Sequence, residues 1–366
     1  MTRRVATWLM AGAAIAAVAC SAAPAAPAPS SAPKPPAAAQ ATAAAATQAP
    51  AQAAAPTAAP AARQTVRYGY VPILAGAAMF LANDRGYFTE QGIDLDMVSF
   101  DSGVLLIPAV SAGQLEAGHG TPGPSLFNAL AREVTMKALG VISWNGTELM
   151  IRKELADQIQ TVQDLKGKRL SLMVEGAPID FTMRRVLYQN GLTLQDIEVQ
   201  RLSMPDTPPA LANNAIDGGA VVEPFPLLIE SRGIGVRALG GVQNLVWKDA
   251  ASIVVVGPTM LNRGDAANIA FMKGFVKGLR DLEATLQDNR ITDPSAVEIV
   301  SRWTKISADV VGRAAISGAP PNGRLDLDDL SRQQDFWAQE GDVRTKADLN
   351  SFVEYKYLDA AVAQLQ

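Results

Sequence analysis

The stretch VRYGYVPILAGAAMFLANDRGYF at residues 66–88 predicts one strand, one tight loop and one helix. Its first residues alternate at the strand period of two, and Pro72 and Gly76 break this run near a turn. Apolar residues then recur at helical spacing as far as Gly86, a residue type that commonly ends helices. A loop between a strand and a helix leaves backbone N–H groups free, so it is a common place for a ligand. The alternative is that this is simply the first βα unit of an α/β domain.

A second stretch repeats this arrangement. Residues 164–174 are typical of a short turn and a strand, a loop follows at 175–179, and Asp180 precedes a predicted helix at 181–189. We therefore predict two related halves, each with one loop at the carboxyl end of its strand.

The composition limits the classes of function. The formal net charge is −4 and no basic run is longer than a pair, which argues against nucleic acid as a partner. Cys20 is the single cysteine, so neither an internal disulfide nor a Cys/His metal cluster can form. His119 is the only histidine, and any Ser-His-Asp or Cys-His mechanism would have to use it.

Residues 1–19 predict an export signal. Arg3 and Arg4 precede an apolar stretch that is too short to span a membrane easily. Small residues directly before Cys20 resemble a bacterial lipoprotein cleavage site, and this resemblance implies a lipid on the Cys20 sulfur. Ala17 stands where leucine is usual, and the alternative is an ordinary secretory signal cleaved a few residues later.

Five short motifs in the region 65–240 resemble the substrate-binding proteins of the nitrate, sulfonate and taurine ABC importers. This superfamily also includes proteins for thiamine-type pyrimidines and flavins. The motifs are RGYF at 85–88, GIDL at 92–95, AGQLEAG at 112–118, DLKGKR at 164–169 and IDGGAVVEP at 216–224. The resemblance implies an α/β fold of the periplasmic-binding-protein-like type II, with two lobes, a hinge and a ligand cleft between them.

The predicted organisation has five parts. The tether at 20–63 is rich in Ala and Pro, nearly uncharged and without an apolar face, so it has no core to pack. Apolar strands at 148–151 and 253–256 flank the second half, and we expect hinge crossings near 144–146 and 257–258. The expected boundaries are 1–19 for the signal peptide, 20–63 for the tether, 64–145 for the first part of lobe 1, 146–257 for lobe 2, and 258–366 for the helices that complete lobe 1.

The loops at the carboxyl ends of the strands are expected to face the cleft. Glu223 stands before a proline at a position where the resemblance implies an acidic or aromatic site residue, although it could also be a surface ion pair. Trp144 could stack on a flat ligand or fill the hinge, Asp180 could serve only as a helix cap, and His119 could be purely structural. The full set of candidate ligand-binding residues is Tyr70, Pro72, Leu74, Asp101, Ser102, His119, Gly120, Thr121, Trp144, Asn145, Glu175, Gly176, Ala177, Asp180, Glu223 and Phe225.

The loop of the second half departs from the anion-binding members of the superfamily. It carries Glu175 and Asp180, with no serine and no basic residue before Arg184. Two acids near an anion would be costly. We therefore expect a neutral or cationic organic solute, such as a heteroaromatic compound of the thiamine-pyrimidine or flavin type, and keep a sulfonate, taurine or nitrate anion as the alternative.

The predicted function is that of a monomeric solute-binding protein, without cofactor or metal, that delivers its ligand to ABC permease subunits. A sensory role is a second possibility. A third is an enzyme, because the superfamily resembles in fold the yeast-type enzyme that builds the thiamine pyrimidine. That enzyme uses a cysteine-rich motif and a histidine with pyridoxal phosphate, whereas this chain has only Cys20 and His119.

Overall fold

The computed structural model describes residues 63–246 and 248–366. The predicted signal peptide, Cys20 and nearly all of the tether lie outside these residues. The strands are β1 Gln64–Tyr70, β2 Ile93–Ser99, β3 Ala117–Gly120, β4 Lys137–Trp144, β5 Glu148–Arg152, β6 Arg169–Leu172, β7 Glu198–Arg201, β8 Gly218–Val221, β9 Gly235–Arg237, β10 Ala250–Val256, β11 Leu286–Gln287 and β12 Arg290–Ile291.

Thirteen α-helices surround these strands in the described part of the chain. They are α1 Ala77–Asp84, α2 Gly103–Ser111, α3 Pro124–Leu130, α4 Pro178–Gln189, α5 Thr207–Ala212, α6 Phe225–Ser231, α7 Pro258–Leu261, α8 Asp265–Thr285, α9 Pro294–Thr304, α10 Ala308–Arg313, α11 Leu327–Gln339, α12 Leu349–Phe352 and α13 Tyr355–Gln364. Within residues 63–246 and 248–366, none of them has both the length and the apolar character needed to cross a bilayer.

Two five-stranded sheets form two lobes with the same strand order. The first sheet runs β2-β1-β3-β10-β4 and the second runs β7-β6-β8-β5-β9. In each sheet one strand, β10 or β5, lies antiparallel to both of its neighbours. These two strands are the first that the chain forms after it crosses from one lobe to the other. The predicted α/β architecture of two related halves is therefore confirmed.

The pairing of strand β10 places the boundary between the lobes before this strand, whereas the sequence predicted it after the strand. The sequence placed 253–256 in lobe 2 with the return crossing at 257–258, but β10 pairs with β3 and β4 in the first sheet. Val246 still packs against the core of lobe 2, while Ala250 is buried in a core of lobe 1. The return crossing therefore lies between these two residues, because pairing partners rather than local apolar periodicity decide which sheet a strand joins.

Helix α4 belongs to lobe 2 but packs its outer face against lobe 1. The ring of Phe181 lies 5.0 Å from that of Phe336 and 5.7 Å from that of Trp337, centroid to centroid, both in α11. One turn later, Arg184 pairs with Glu340 at 3.2 Å. These contacts fix the position of α4, and therefore of its N-terminus, relative to lobe 1.

Helix α8 packs closely on α1 at Gly278. A Cβ atom on this residue would lie 2.4 Å from the carbonyl oxygen of Ala78 and 2.6 Å from the Cβ of Ala82. We expect Gly278→Ala to lower the free energy of unfolding by about 1–3 kcal/mol, because backbone of α1 must move. Urea unfolding followed by tryptophan fluorescence measures this value.

Gly312 in α10 provides the matched control for this substitution. An added Cβ there would have its nearest neighbour at 3.7 Å, which is ordinary contact distance. We expect Gly312→Ala to leave stability unchanged or to raise it by up to about 1 kcal/mol. Equal losses at both glycines would contradict the close packing of α1 and α8.

Candidate functional site

A cavity lies between the two lobes, beside the carboxyl ends of the strands. It encloses about 700 Å³, including the open space at its mouth. Lobe 1 supplies the loop after β1, the start of α2 and the ends of β3 and β4, and lobe 2 supplies the loops after β6, β7 and β8. The segment around Ser317, from the C-terminal region of the chain, closes one side.

The cavity brings together nine of the sixteen candidate residues. These nine are Leu74, Asp101, Ser102, His119, Thr121, Trp144, Asn145, Ala177 and Glu223. The other lining residues are Val71, Ile73, Ala75, Gly103, Ser143, Gly146, Met173, Pro178, Ile179, Met204, Val222, Ala251, Ser252, Ala315 and Ser317. That the nine bind a ligand stays a prediction.

Four further candidates lie outside the cavity because of packing or position. Tyr70 packs its ring edge-on against Phe80 and Trp303, at centroid distances of 5.6 and 5.3 Å. Gly120 lies inside β3, where Val255 covers it. The last two, Pro72 and Phe225, line an outer groove that adjoins the cavity at the mouth of the cleft.

The remaining three candidates do not line the cavity and contact other protein groups, although Glu175 also lines the outer groove. Asp180 is fully buried and pairs with Arg184 at 3.0 Å and with Arg201 at 2.7 Å. Glu175 pairs with Arg184 at 2.6 Å. Gly176 has a positive φ of 78°, and its carbonyl oxygen touches the α3 N-terminus in lobe 1.

These ion pairs correct the sequence argument against an anion. That argument required Glu175 and Asp180 to face the solute, whereas both are neutralised by arginines and neither lines the cavity. The charge of the cavity wall has to be judged from other residues.

The cavity wall contains no lysine or arginine among the described residues. Its carboxylates are Asp101 and Glu223. Asp101 is exposed and forms no ion pair in the described ranges, whereas Glu223 accepts a hydrogen bond from Arg237 at 2.6 Å. The ion-pair alternative considered for Glu223 is thus present, although the residue also lines the cavity.

His119 adds no positive charge to the wall. Its Nε2 lies 2.6 Å from the Oγ of Ser252 on the neighbouring strand β10. Burial lowers the pKa of His119 to about 4, so the imidazole is neutral at pH 7. Within residues 63–246 and 248–366, no carboxylate is hydrogen-bonded to this ring. The pair therefore lacks the third group that orients a catalytic histidine.

Two helices begin at the cavity, one from each lobe. The Ser102 side chain accepts a hydrogen bond from the Val104 N–H at 3.3 Å and caps α2. Residues of the first turns, Gly103 in α2 and Ile179 in α4, line the wall. The free N–H groups and positive dipole ends of two helices can stabilise an acceptor or partial negative charge on a solute.

The two hinge crossings are bonded to each other directly beside the cavity. The backbone N–H of Asn145 donates to the carbonyl oxygen of Asp249 at 2.9 Å, and its side-chain amide donates to the Asp249 carboxylate at 3.2 Å. The same amide contacts Thr182 in α4. Asn145 therefore links both crossings to the helix that carries part of the lobe 2 wall.

Sequence reasoning missed several wall residues. Ser143 is buried, and its hydroxyl has no hydrogen-bond partner in the described part of the chain, so it is available to a solute. Ser252 and Ser317 were missed because their positions depend on the pairing of β10 and on a long return of the C-terminal region. Met173 and Met204, which no sequence motif singles out, add apolar wall from lobe 2.

The neutral state of His119 predicts a loss of stability in acid. Its pKa of about 4 in the fold lies below the unperturbed value of 6.5, so the unfolded chain binds more protons between these values. The free energy of unfolding should therefore fall as the pH drops from 6.5 to 4. Between pH 7 and 4.5, we expect the solute-free wild type to lose roughly 2–3 kcal/mol more than His119→Gln, measured by urea unfolding at each pH.

Asp249 has the opposite effect on the free energy of unfolding over the same pH range. Burial raises the pKa of Asp249 to about 6, so protonation of this carboxyl favours the folded state as the pH falls. Because Asp249 is present in both proteins, its contribution cancels in the comparison. Parallel pH profiles for the two proteins would contradict a buried neutral His119.

Comparison with known proteins agrees with this architecture. A model of the NMT1-like family matches residues 59–277, more than half of the chain. A Brucella abortus protein named as a candidate binding protein is 28% identical over 161 residues, which cover 44% of this chain and 48% of that relative. The chain thus spans about half the length of this curated relative.

Solved structures share the fold. The alkanesulfonate-binding protein SsuA from Xanthomonas axonopodis pv. citri, bound to MOPS, aligns with a TM-score of 0.66 at 20% identity, over 81% of this chain and 100% of that one. The desulfurization enzyme DSZB aligns with a TM-score of 0.61 at 16% identity, over 83% and 100% of the two chains. The predicted type II periplasmic-binding-protein-like fold and the resemblance to the nitrate and sulfonate superfamily are confirmed. The chain belongs to the NMT1-like family.

Proposed function

We propose that this protein is the extracytoplasmic solute-binding component of an ABC importer, which captures a small organic solute between its lobes and delivers it to the permease subunits. The observation that carries the proposal is the cavity whose wall is built from both lobes. A solute that contacts both walls stabilises the closed arrangement over the open one, which is hinge closure.

The wall chemistry supports a neutral or cationic solute. Asp101 contributes a carboxylate without an ion-pair partner in the described ranges, His119 is neutral, and no described lysine or arginine lines the cavity. Trp144 and the two methionines offer surface for a flat organic body. Thiamine-type pyrimidines and flavins are therefore the first compounds to test.

A sulfonate-type anion is the second candidate. It is favoured by the two helix N-termini at the cavity and by the unpartnered hydroxyl of Ser143. Helix N-termini and hydroxyls can hold an anion without a formal cation. The structural similarity to an alkanesulfonate-binding protein supports this candidate through the fold alone.

A thermal-shift panel followed by calorimetry separates the two candidates. Pyrimidines, flavins, taurine, nitrate and alkanesulfonates are each tested against the purified protein. We expect stabilisation by the neutral or cationic heteroaromatic compounds, together with compaction in small-angle scattering. Tight binding of taurine or nitrate alone would overturn the first candidate, and binding without compaction would overturn hinge closure.

A catalytic role has less support from the geometry. The desulfurization enzyme shows that this fold can carry an enzyme. In this chain, however, the His119–Ser252 pair has no carboxylate partner among the described residues, and those residues hold no group of three or more His, Cys, Asp or Glu side chains arranged for a metal. Turnover of any bound solute in prolonged incubation would favour the enzyme.

We also propose that residues 1–19 direct export and that a lipid on Cys20 holds the protein at the bacterial cell membrane as a monomer. The small residues before Cys20 support this proposal. In a bacterial host, wild-type protein should label with an alkyne fatty acid and sediment with membranes, and Cys20→Ser should do neither. Equal labelling of both proteins would contradict the anchor.

A further inference from the structure

A groove runs outward from the cavity along the mouth of the cleft; its walls are mainly apolar but include the charged residues Asp101, Glu175, Arg201 and Lys305. Both lobes line it: lobe 1 through the loop after β1, the start of α2 and the loop after α9, and lobe 2 through the loops after β6, β7 and β8. The groove encloses about 1860 Å³, including open space. The sequence did not predict it as a space of its own, although five residues of the predicted set line it: Pro72, Asp101, Ser102, Glu175 and Phe225.

The groove adjoins the inner cavity. Six residues line both spaces, so the two meet along a shared wall: Val71, Ile73, Asp101, Ser102, Met173 and Met204. Four of these six are apolar, and Asp101 and Ser102 stand on the lobe 1 side of the shared wall. A molecule seated in the cavity can therefore extend directly into the groove.

The groove also holds two of the three large apolar residues that are most exposed in the described ranges. Leu105 in α2 is 49% exposed and Val174 after β6 is 41% exposed. In the described ranges, the only other large apolar residue so exposed is Leu245, at 40%, and it lies outside both spaces. Leu105 comes from lobe 1 and Val174 from lobe 2, so an apolar group between the lobes would remove both from water.

We propose that the solute of this protein is an elongated amphipathic compound, with a compact polar or heteroaromatic head in the cavity and an apolar tail in the groove. This proposal rests on the proposed function, because it extends the same site. The groove adjoins the cavity, and this favours the tail of the bound solute as the occupant of the groove. A permease surface that docked on the groove would not need to reach the cavity.

Two homologous series of probes test whether the groove binds an apolar tail. N-alkylpyridinium ions carry a flat cationic head, n-alkanesulfonates carry an anionic head, and each series is used with ethyl, butyl, hexyl and octyl chains. Burial of a chain should tighten binding by about twofold to fourfold per methylene. In the series whose head fits, we expect the octyl compound, with six more methylenes, to bind at least roughly sixtyfold more tightly than the ethyl compound, measured by calorimetry below micelle concentrations.

Variants of groove residues show whether the gain in affinity with chain length arises in the groove. The double variant Leu105→Gln/Val174→Thr keeps the size of both side chains but makes them polar, and neither residue lines the inner cavity. We expect it to remove most of the octyl advantage while ethyl binding changes by less than about twofold. Leu245→Gln is the matched control, because it replaces a leucine of similar exposure elsewhere, and it should leave both affinities unchanged.

The outcomes distinguish this proposal from the proposed function. If ethyl probes bind and longer chains do not bind more tightly, the proposed tail is wrong, but the proposal of solute binding is unaffected. A gain that persists in the double variant also overturns the groove assignment. If neither series binds at any length, this proposal falls, and the proposed function falls with it only if the compound panel and the purified protein also yield no bound solute.

Discussion

Replacing Arg185 with methionine is expected to lower the free energy of unfolding by about 3–5 kcal/mol at pH 7. Arg185 in α4 pairs with Asp249 at 2.8 Å, and both side chains are only 2% exposed. Without the arginine, the Asp249 carboxylate is left in a buried site without its positive partner. Burial already raises the pKa of Asp249 to about 6, so at pH 5 the carboxyl can take up a proton and the loss should be smaller.

An exposed ion pair provides the control for Arg185. Arg313 pairs with Asp309 at 3.0 Å, but the two side chains are 51% and 75% exposed. Arg313→Met should therefore cost no more than about 1 kcal/mol. The double variant Arg185→Met/Asp249→Asn should recover much of the loss, because the buried charge is removed with its partner. Equal effects of Arg185→Met and Arg313→Met in urea unfolding would contradict a buried charge pair at the hinge.

Filling the cavity should abolish solute binding without unfolding the protein. Ala315 lines the cavity and is exposed to the cleft, so a larger side chain can enter the open space. We expect Ala315→Trp to weaken binding of the panel compound that stabilises wild type by at least roughly a hundredfold, about 2.8 kcal/mol. Calorimetry measures the affinity, and the melting temperature of the solute-free protein checks the fold.

The control for this variant places the same side chain elsewhere. Ala363 is exposed in the last helix α13 and lines neither the cavity nor the groove. Ala363→Trp should bind the solute as wild type does. If Ala315→Trp retains full affinity while its fold is intact, the solute binds at another place.

Most strands and helices could be predicted because they show a local apolar periodicity, but β9 and the β11–β12 hairpin were not predicted. The helix at 181–189 and the strand at 66–70 are examples, since their apolar spacing alone indicates their type. The membership of 253–256 in the first sheet could not be predicted in this way. It depends on hydrogen bonds to β3 and β4, more than a hundred residues earlier in the chain.

The candidate site was predictable only where a residue's position follows from a strand end. Asp101 follows β2, whereas His119 and Trp144 lie at the carboxyl ends of β3 and β4, and all three line the cavity. Asp180 also follows that rule in sequence, but Arg184 and Arg201 hold its side chain in a buried ion pair. The positions of the other site residues depend on their side-chain partners and on how the two lobes close on each other. Neither can be predicted from the local spacing of residues.

Native mass spectrometry of the protein as purified tests most directly whether a solute is held between the lobes. Spectra of wild type and Ala315→Trp are recorded under gentle and under denaturing conditions. The account predicts a small organic solute that is bound to wild type, released on denaturation and absent from the variant. A solute retained equally by both proteins, or a wild-type protein that remains free of solute after exposure to a cell extract, would contradict it.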